Sequence, residues 1–266
     1  MRFRFYIPLI LVLLATSCGE YEKILKSTDY ELKKTKALEY FEEGRFIRAT
    51  ELLAQILPRY RATGEAENLT WISSQCYYNV HDYMTAGASY KNFYEAYPYN
   101  EHAEEAAFMT AYCDYLMAPR PDLDQSYTRV AIEGFQYFMR RFPVSTKKEE
   151  SEELIRELED KLVEKSFNSA KLYYDLKRYE AANVALSNSL KEYPETKHRE
   201  ELLFLKMESR FQYAERSINE KKRERYQNTL DEYYSFIEEF PESKYQREIE
   251  KIYRTTAKFL NIDQGN

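Results

Sequence analysis

The residues that most often carry catalysis or metal binding are few in this chain and far apart. Its 266 residues include three histidines and three cysteines. His81, His102 and His198 lack the close spacing of metal ligands. The sequence contains no HExxH, GxSxG or glycine-rich phosphate-binding motif. Its carboxylates recur three or four residues from Lys or Arg, as on solvated helix faces. These patterns predict neither an enzyme nor a cofactor or metal site.

The composition points instead to packed helices. Only six residues are Gly, which disfavours β-sandwiches, propellers and other folds that depend on tight turns. A net charge of −6 disfavours a dedicated nucleic-acid binder, which needs a basic face. The 26 Tyr and 15 Phe residues are a high aromatic content that suits helices interlocking side by side. We therefore expect an all-α protein.

The N-terminal segment has the order of a secretory signal. Arg2 and Arg4 form a short positive region, and the apolar stretch 6–17 is too short to span a membrane. This stretch runs directly into a cysteine, and its ending, LLATSC, resembles a bacterial lipoprotein signal. The resemblance implies that residues 1–17 are cleaved and that Cys18 is acylated, with palmitate among its acyl chains. The alternative is an ordinary signal peptide in which Cys18 is incidental.

The other two thiols, Cys76 and Cys113, lie in apolar stretches with helical periodicity. An exported protein can form disulfides, but the chain contains no CxxC motif. We predict that both thiols are buried and behave as small hydrophobic side chains. A disulfide between them is the alternative.

A recurring proline motif predicts joints between helices. Five prolines are spaced 40, 45, 51 and 47 residues apart: Pro58, Pro98, Pro143, Pro194 and Pro241. The last four follow a Tyr or Phe, and two residues after each comes a residue that favours helix N-caps: Asn100, Ser145, Thr196 and Ser243. Proline ends one helix, and the side-chain oxygen accepts a free N–H group of the next. We call each of these aromatic–Pro–x–cap segments a joint.

A second set of landmarks lies 12 to 16 residues before the prolines: Phe46, Tyr83, Tyr127, Tyr179 and Tyr226. In four of the five units a small residue follows the aromatic by three positions. Further small residues, among them Ala37, Ser74 and Ala111, precede it. This order resembles the tetratricopeptide repeat (TPR) over residues 28–258. The resemblance implies an all-α solenoid of about five TPR-like helical hairpins.

The repeats suggest a domain organisation for the whole chain. A tether is expected at 18–27 after the signal peptide 1–17, followed by an N-terminal TPR-like module of three units at 28–146. Two units form a C-terminal module at 166–260, before a tail at 261–266. Between the modules, 147–165 holds thirteen charged residues. We interpret this segment as a long solvated helix, and a coiled-coil partner helix is the alternative.

The signal, the length of the chain and the joints together resemble the BamD (YfiO/ComL) family of outer-membrane lipoproteins. The resemblance rests on AYPYNEHAEEA at 96–106, RFPVST at 141–146 and EFPESKYQREI at 239–249. It implies a non-catalytic scaffold of the β-barrel assembly machinery (the Bam complex), lipid-anchored to the outer membrane and facing the periplasm. Its implied partners are a BamA-like barrel subunit and unfolded outer-membrane proteins. The first alternative is a TPR lipoprotein for pilus or secretin assembly. A glycan-binding lipoprotein is disfavoured by the single Trp.

A peptide-binding groove is predicted in the first three units. If Ser74 and Ala111 occupy the small position of the repeat, the helical phase directs a second set of residues toward the groove: Trp71, Gln75, Tyr78, Asn79, Phe108, Tyr112 and Tyr115. Aromatic rings beside amides suit an extended segment that ends in an aromatic residue, as unfolded outer-membrane strands do. The alternative is that these rings only pack between repeats.

A partner-docking surface is predicted in the last two units, from the family resemblance and from the dense charges around NEKKRER. Its candidate residues are Glu215, Arg216, Arg223 and Arg225. Charges at the rim of an interface mainly set orientation and association rate. The alternative is a solvated helix end.

Overall fold

The computed structural model of the protein describes residues 19–262, and within this range the chain contains helices but no strand. The predicted all-α class is therefore confirmed. The helices are α1 (19–26), α2 (Tyr30–Glu42), α3 (Phe46–Tyr60), α4 (Ala66–Asn79), α5 (Tyr83–Ala96), α6 (Ala103–Met117), α7 (Ser126–Arg141), α8 (Lys148–Asp175), α9 (Tyr179–Glu192), α10 (Arg199–Glu215), α11 (Asn219–Glu239) and α12 (Gln246–Leu260). None of these helices combines the length and hydrophobicity needed to cross a bilayer.

Consecutive helices pack as the hairpins α2–α3, α4–α5, α6–α7 and α10–α11, and α12 packs on α10 and α11. The C-terminal part of α8 completes a further hairpin with α9, since Phe167 and Ala170 share a core with Ala182 and Leu186. The small landmark residues lie where helices cross. Ala37, Ser74 and Ala111 are fully buried. A Cβ added at Gly134 in α7 would lie only 2.9 Å from the Cβ of Ala111 in α6. Small residues at these points therefore allow the helices to approach closely.

Three of the five hairpin turns end the first helix of the hairpin in a common way. Three residues have left-handed backbones, with φ of 70°, 62° and 58°: Gly44, His81 and Lys177. In each turn the next residue's N–H bonds a carbonyl five residues earlier, at 2.7 to 3.0 Å. This is the Schellman arrangement, which satisfies carbonyls at a helix end. His81 and Lys177 adopt a conformation that favours glycine.

The four joints share one backbone geometry. The cap side chain of each accepts the N–H two residues later, at 2.9 to 3.2 Å: Asn100, Ser145, Thr196 and Ser243. The prediction that these residues directly cap the next helix needs one correction. Their carbonyls accept the N–H three residues later and close an extra turn. Helices α6, α8, α10 and α12 therefore each begin three residues after the cap.

Contacts divide the chain into two compact units. The first extends to Pro119 and includes Gln125–Leu158. The second consists of Arg120–Asp124 and the chain from Glu159 onward. Helix α8 therefore serves both cores: Ile155 and Leu158 pack in the first unit and Phe167 in the second. In the second unit, Lys165 Nζ donates to the Asp122 carbonyl at 2.7 Å.

Residues 19–26, which lie inside the segment expected to form a tether, are helical. In α1 both Tyr21 and Ile24 are buried, and they belong to the core of the first hairpin. Apolar side chains at positions 21 and 24 share one helix face, which is why the segment folds onto its neighbour. Cys18 and the signal segment lie outside the described residues.

Candidate functional site

Each joint also covers an aromatic ring of the preceding repeat. We call the residue four positions after each proline the cover residue. Three cover residues lie parallel to a ring of the preceding first helix, with centroids 4.0 to 4.4 Å apart: His102 on Trp71, His198 on Phe167 and Tyr245 on Phe204. In the remaining joint, Lys147 Nζ lies 4.2 Å from the centre of the Phe108 ring. Both kinds of contact stabilise neighbouring repeats against each other.

Two of the predicted groove residues are therefore in the core. Trp71 is 6% exposed and contacts the rings of Tyr90 and Phe93, with centroids 5.5 and 5.4 Å away. Phe108 is buried against Phe135 and Phe138. The prediction took its helical phase from the small residue at each helix crossing, Ser74 or Ala111. A side chain three positions earlier points toward the next repeat, where the joint covers it. Packing between repeats is thus the role in which the structure places Trp71 and Phe108.

Three other predicted groove residues come together as a partly exposed aromatic surface. Tyr112 lies between Phe108 and Tyr115, with stacked ring centroids 5.7 and 5.6 Å away. Burial raises the pKa of Tyr78, and the nearby Tyr112 raises it further. Tyr115 donates a hydrogen bond of 2.7 Å to Glu157, and this bond, with burial, raises the Tyr115 pKa to about 12. We call Tyr78, Tyr112 and Tyr115 the tyrosine ladder. It offers three rings and the phenolic hydroxyl groups of Tyr78 and Tyr112 to a ligand.

The two amides of the prediction lie one helical turn apart in α4. Gln75 is half-buried, and its carbonyl accepts a 2.8 Å hydrogen bond from Asn79 Nδ2. Asn79 is exposed and lines a groove of about 670 Å³ with Val80, His81 and the segment 44–48. Sequence reasoning missed this groove. The signal for it was Ile47, an exposed apolar residue directly after the landmark Phe46.

Two of the four predicted docking residues, Arg216 and Arg225, lie over aromatic rings. The Arg216 guanidinium lies 4.8 Å from the centre of the Tyr179 ring. Arg225 lies 3.8 Å from that of Tyr213, donates to the Tyr213 hydroxyl at 2.8 Å and also bonds Ser217. Glu215 and Arg223 are exposed. Arg225 thus has a structural role between α10 and α11, whereas Arg223 can reach a partner without breaking these contacts.

A groove that the sequence did not predict runs along α9 in the second unit. Two adjoining cavities of about 520 and 400 Å³ share Glu180, Val184 and Tyr213. Arg216 lines the first cavity, and Asn183 lines the second. The Asn183 Oδ1 atom is buried and lacks a hydrogen-bond partner. Val184 is 59% exposed. We call this the α9 groove. Four cations line it, Lys177, Arg178, Arg210 and Arg216, against the single carboxylate of Glu180, which suits an extended acidic segment.

The two buried thiols take no part in these surfaces. Cys76 and Cys113 are both free and buried, which confirms the prediction made for them. Burial raises the pKa of each thiol to about 12. Between residues 19 and 262, no group of three or more His, Cys, Asp or Glu side chains is arranged to hold a metal ion.

Comparison with known proteins gives one family match. The model of the family YfiO, described as an outer membrane lipoprotein, matches residues 30–227. The matched range begins at the first residue of α2 and ends inside α11, so it includes at least part of all five hairpins. No curated protein matches the chain.

Proposed function

Because the chain belongs to the YfiO family of outer-membrane lipoproteins, we propose that it is the lipoprotein subunit of a β-barrel assembly machinery. It acts as a non-catalytic scaffold on the periplasmic side of the outer membrane. Its partners are a BamA-like barrel subunit and unfolded outer-membrane proteins. The family match over five hairpins is the observation that carries this proposal, since stacked helical hairpins build extended surfaces for other proteins.

Partner capture tests the proposal directly. The tagged protein is purified from outer membranes dissolved in mild detergent, and its stable partners are identified by mass spectrometry. A large barrel protein with periplasmic repeats is the expected partner. Recovery of a secretin instead would support the alternative of a TPR lipoprotein for pilus or secretin assembly. Recovery of neither would contradict both functions.

Membrane attachment through Cys18 completes the proposal. Two or more acyl chains hold a protein stably on a membrane, whereas one chain does so only marginally. Labelling of growing cells with an alkyne fatty acid marks the wild type and leaves Cys18→Ser unlabelled. If the serine variant is labelled and still fractionates with membranes, Cys18 is not the anchor.

The tyrosine ladder is proposed as the contact for unfolded substrate. Tyrosine rings supply contact area at low entropic cost, and their hydroxyls can pair with a peptide backbone. Phe108 supports the ladder from the core, since its ring stacks on Tyr112. The double change Tyr78→Ala with Tyr112→Ala should lower affinity for the C-terminal peptide of a barrel protein about tenfold, or about 1.4 kcal/mol. Fluorescence anisotropy of a labelled peptide measures this.

A matched control distinguishes binding from folding. Tyr99 follows the proline of the first joint and is 99% exposed, so Tyr99→Ala removes a tyrosine without touching the ladder. It should bind the peptide as the wild type does. Unchanged binding by the ladder variant, with a native circular dichroism spectrum, would place the substrate elsewhere.

The α9 groove and its charged rim are proposed as the docking surface for the barrel subunit. Val184→Arg fills the groove with a charged side chain and should abolish capture. Arg223 is exposed on α11 but lines neither cavity, so Arg223→Glu should weaken capture only modestly, and mainly at low salt, because salt screens the interaction of an exposed charge. Val144→Arg alters a valine in the first unit that is even more exposed, 94% against 59% for Val184, and serves as the control. Normal capture by Val184→Arg would exclude the groove.

A further inference from the structure

Helix α1 is held firmly against the first hairpin. The Tyr21 and Tyr40 rings meet edge to face with centroids 5.8 Å apart, and the Tyr21 hydroxyl donates to Glu51. At the other end of α1, the Leu25 carbonyl accepts a 3.0 Å hydrogen bond from Lys33 Nζ. Both ends of the helix are therefore tied to the repeat behind it.

These contacts also set the direction of α1. Tyr21 lies beside Arg48, whose guanidinium is 4.9 Å from the ring centre, and beside Glu51. Leu25 lies near Lys33, which in turn bonds Gln55. The start of α1 thus lies beside the start of α3, and the end of α1 lies beside a later part of α3. The two helices therefore run in the same direction. Extended backward, α1 leads toward the turn at 44–48.

The cysteine proposed as the lipid anchor immediately precedes this helix. Two residues separate Cys18 from Tyr21, and even a fully extended chain keeps the Arg48 guanidinium within about 20 Å of Cys18. No long flexible linker separates the cysteine from the folded unit, because α1 is helical from residue 19. Acylation of Cys18 would therefore bring the turn edge of the first hairpin to the lipid headgroups.

The side chains at this edge suit a phospholipid surface. Ile47 and Met84 are 68% and 63% exposed, and each directly follows the landmark aromatic of its hairpin. Equivalent positions of consecutive repeats lie along one edge of a solenoid. Arg48 and Arg45 line the groove beside Ile47, and arginine binds phosphate well. Arg45 also forms an exposed ion pair of 3.1 Å with Glu43. We call Arg45, Ile47, Arg48 and Met84 the anchor face.

The corresponding positions of the later hairpins are different. The residue after the landmark aromatic is a buried Thr128 in the third hairpin, Glu180 in the fourth and Gln227 in the fifth. Exposed apolar side chains therefore occupy this position only in the first two hairpins. These are also the hairpins closest along the chain to Cys18, so the apolar positions coincide with the anchored end.

We propose that the anchor face rests on the phospholipid bilayer in which the lipid of Cys18 is embedded. This inference rests on the proposed acylation. Ile47 and Met84 enter the headgroup region, and Arg45 and Arg48 bind lipid phosphates. The lipid and the anchor face then hold the first hairpin at two points. The first unit takes a fixed orientation on the membrane instead of moving on a tether.

The test uses chemical coupling in place of cellular acylation. The mature chain, 18–266, is joined through Cys18 to a maleimide lipid in vesicles of phosphatidylcholine and phosphatidylglycerol that contain a dansyl lipid. Cys76 and Cys113 are fully buried with raised thiol pKa values and do not compete for the maleimide. Trp71, the single tryptophan, serves as the donor for energy transfer to the dansyl headgroups.

We expect strong energy transfer for the wild type and a clear loss for Ile47→Glu with Met84→Glu. Leu176→Glu with Ile218→Glu alters two similarly exposed residues in the second unit, 60% and 63%, and should transfer as the wild type does. Equal transfer by the anchor-face variant and the wild type would overturn the inference. Since the coupling is chemical, this result is independent of the fatty-acid labelling of Cys18, which tests the proposed anchor itself.

Discussion

Replacing Trp71 by alanine separates a packing role from a binding role for this residue. The indole is almost fully buried in the second hairpin and lies parallel to the His102 ring, with centroids 4.4 Å apart. Tyr90 and Phe93 close its other sides. Trp71→Ala therefore opens a cavity between two repeats and leaves the cover residue His102 without its partner ring.

The expected cost follows from this environment. Truncation of a buried aromatic side chain to alanine typically lowers the free energy of unfolding by about 3–5 kcal/mol. For Trp71→Ala we therefore expect a loss of about 4 kcal/mol. If the chain unfolds cooperatively, this lowers Tm by about 8–16 °C for a protein of this size. Trp71→Phe keeps a ring against His102 and should lose less than half as much.

Urea unfolding followed by far-UV circular dichroism measures the change in unfolding free energy. Tryptophan fluorescence is not usable, because the variant lacks the single Trp of the chain. Tyr99→Ala, at the exposed end of the same repeat, should alter the free energy of unfolding by less than about 0.5 kcal/mol. A Trp71→Ala variant as stable as Tyr99→Ala would refute the burial argument. It would return Trp71 to the peptide-binding surface.

Three further predictions concern single residues. Lys177 has a φ of 58°, so Lys177→Gly should raise the free energy of unfolding by about 1 kcal/mol in urea; an equal gain for Lys177→Ala would contradict the backbone explanation. Burial raises the pKa of Asp114, so the fold loses stability as pH rises from the ordinary pKa to the raised value, and the loss is constant at higher pH. Asp114→Asn should thus be more stable than the wild type at neutral pH, with the difference vanishing below the ordinary pKa of 3.8; a difference independent of pH would exclude this cause. Ser243 caps the last joint and donates a 2.7 Å bond to Glu200, so Ser243→Ala should cost about 1–2 kcal/mol of unfolding free energy. Ser235→Ala, at an exposed helical serine, is its control, and equal stability of the two variants would contradict the capping role.

The fold could be read from the sequence because its landmarks are local. Proline, an aromatic neighbour and a side-chain acceptor determine a joint within a few residues, and Pro98 and Pro241 mark joints of the same geometry. Pro58 differs, since it lies inside the last turn of α3. It lacks a preceding aromatic, so the sequence already set it apart from the other four.

The candidate site was harder to predict because it depends on contacts between repeats. Trp71 and Phe108 have the residue types of a binding surface, but a residue more than thirty positions later covers each ring. Helical phase alone cannot reveal such a cover. The free amide oxygen of Asn183 depends likewise on how α9 packs in the second unit. No local pattern distinguishes it from other half-buried amides.

The cover residues make each repeat dependent on the one that follows it. An exported polypeptide emerges from its N-terminus, so Phe167 stays solvated until His198 has left the translocation channel, and Phe204 until Tyr245 has. The hairpins would then fold in the order of their export, and the ring of each would become buried when the next hairpin packs on it. A chain truncated before Tyr245 would expose Phe204 at its end. The last of these contacts forms only when Tyr245, the residue before α12, has packed on Phe204.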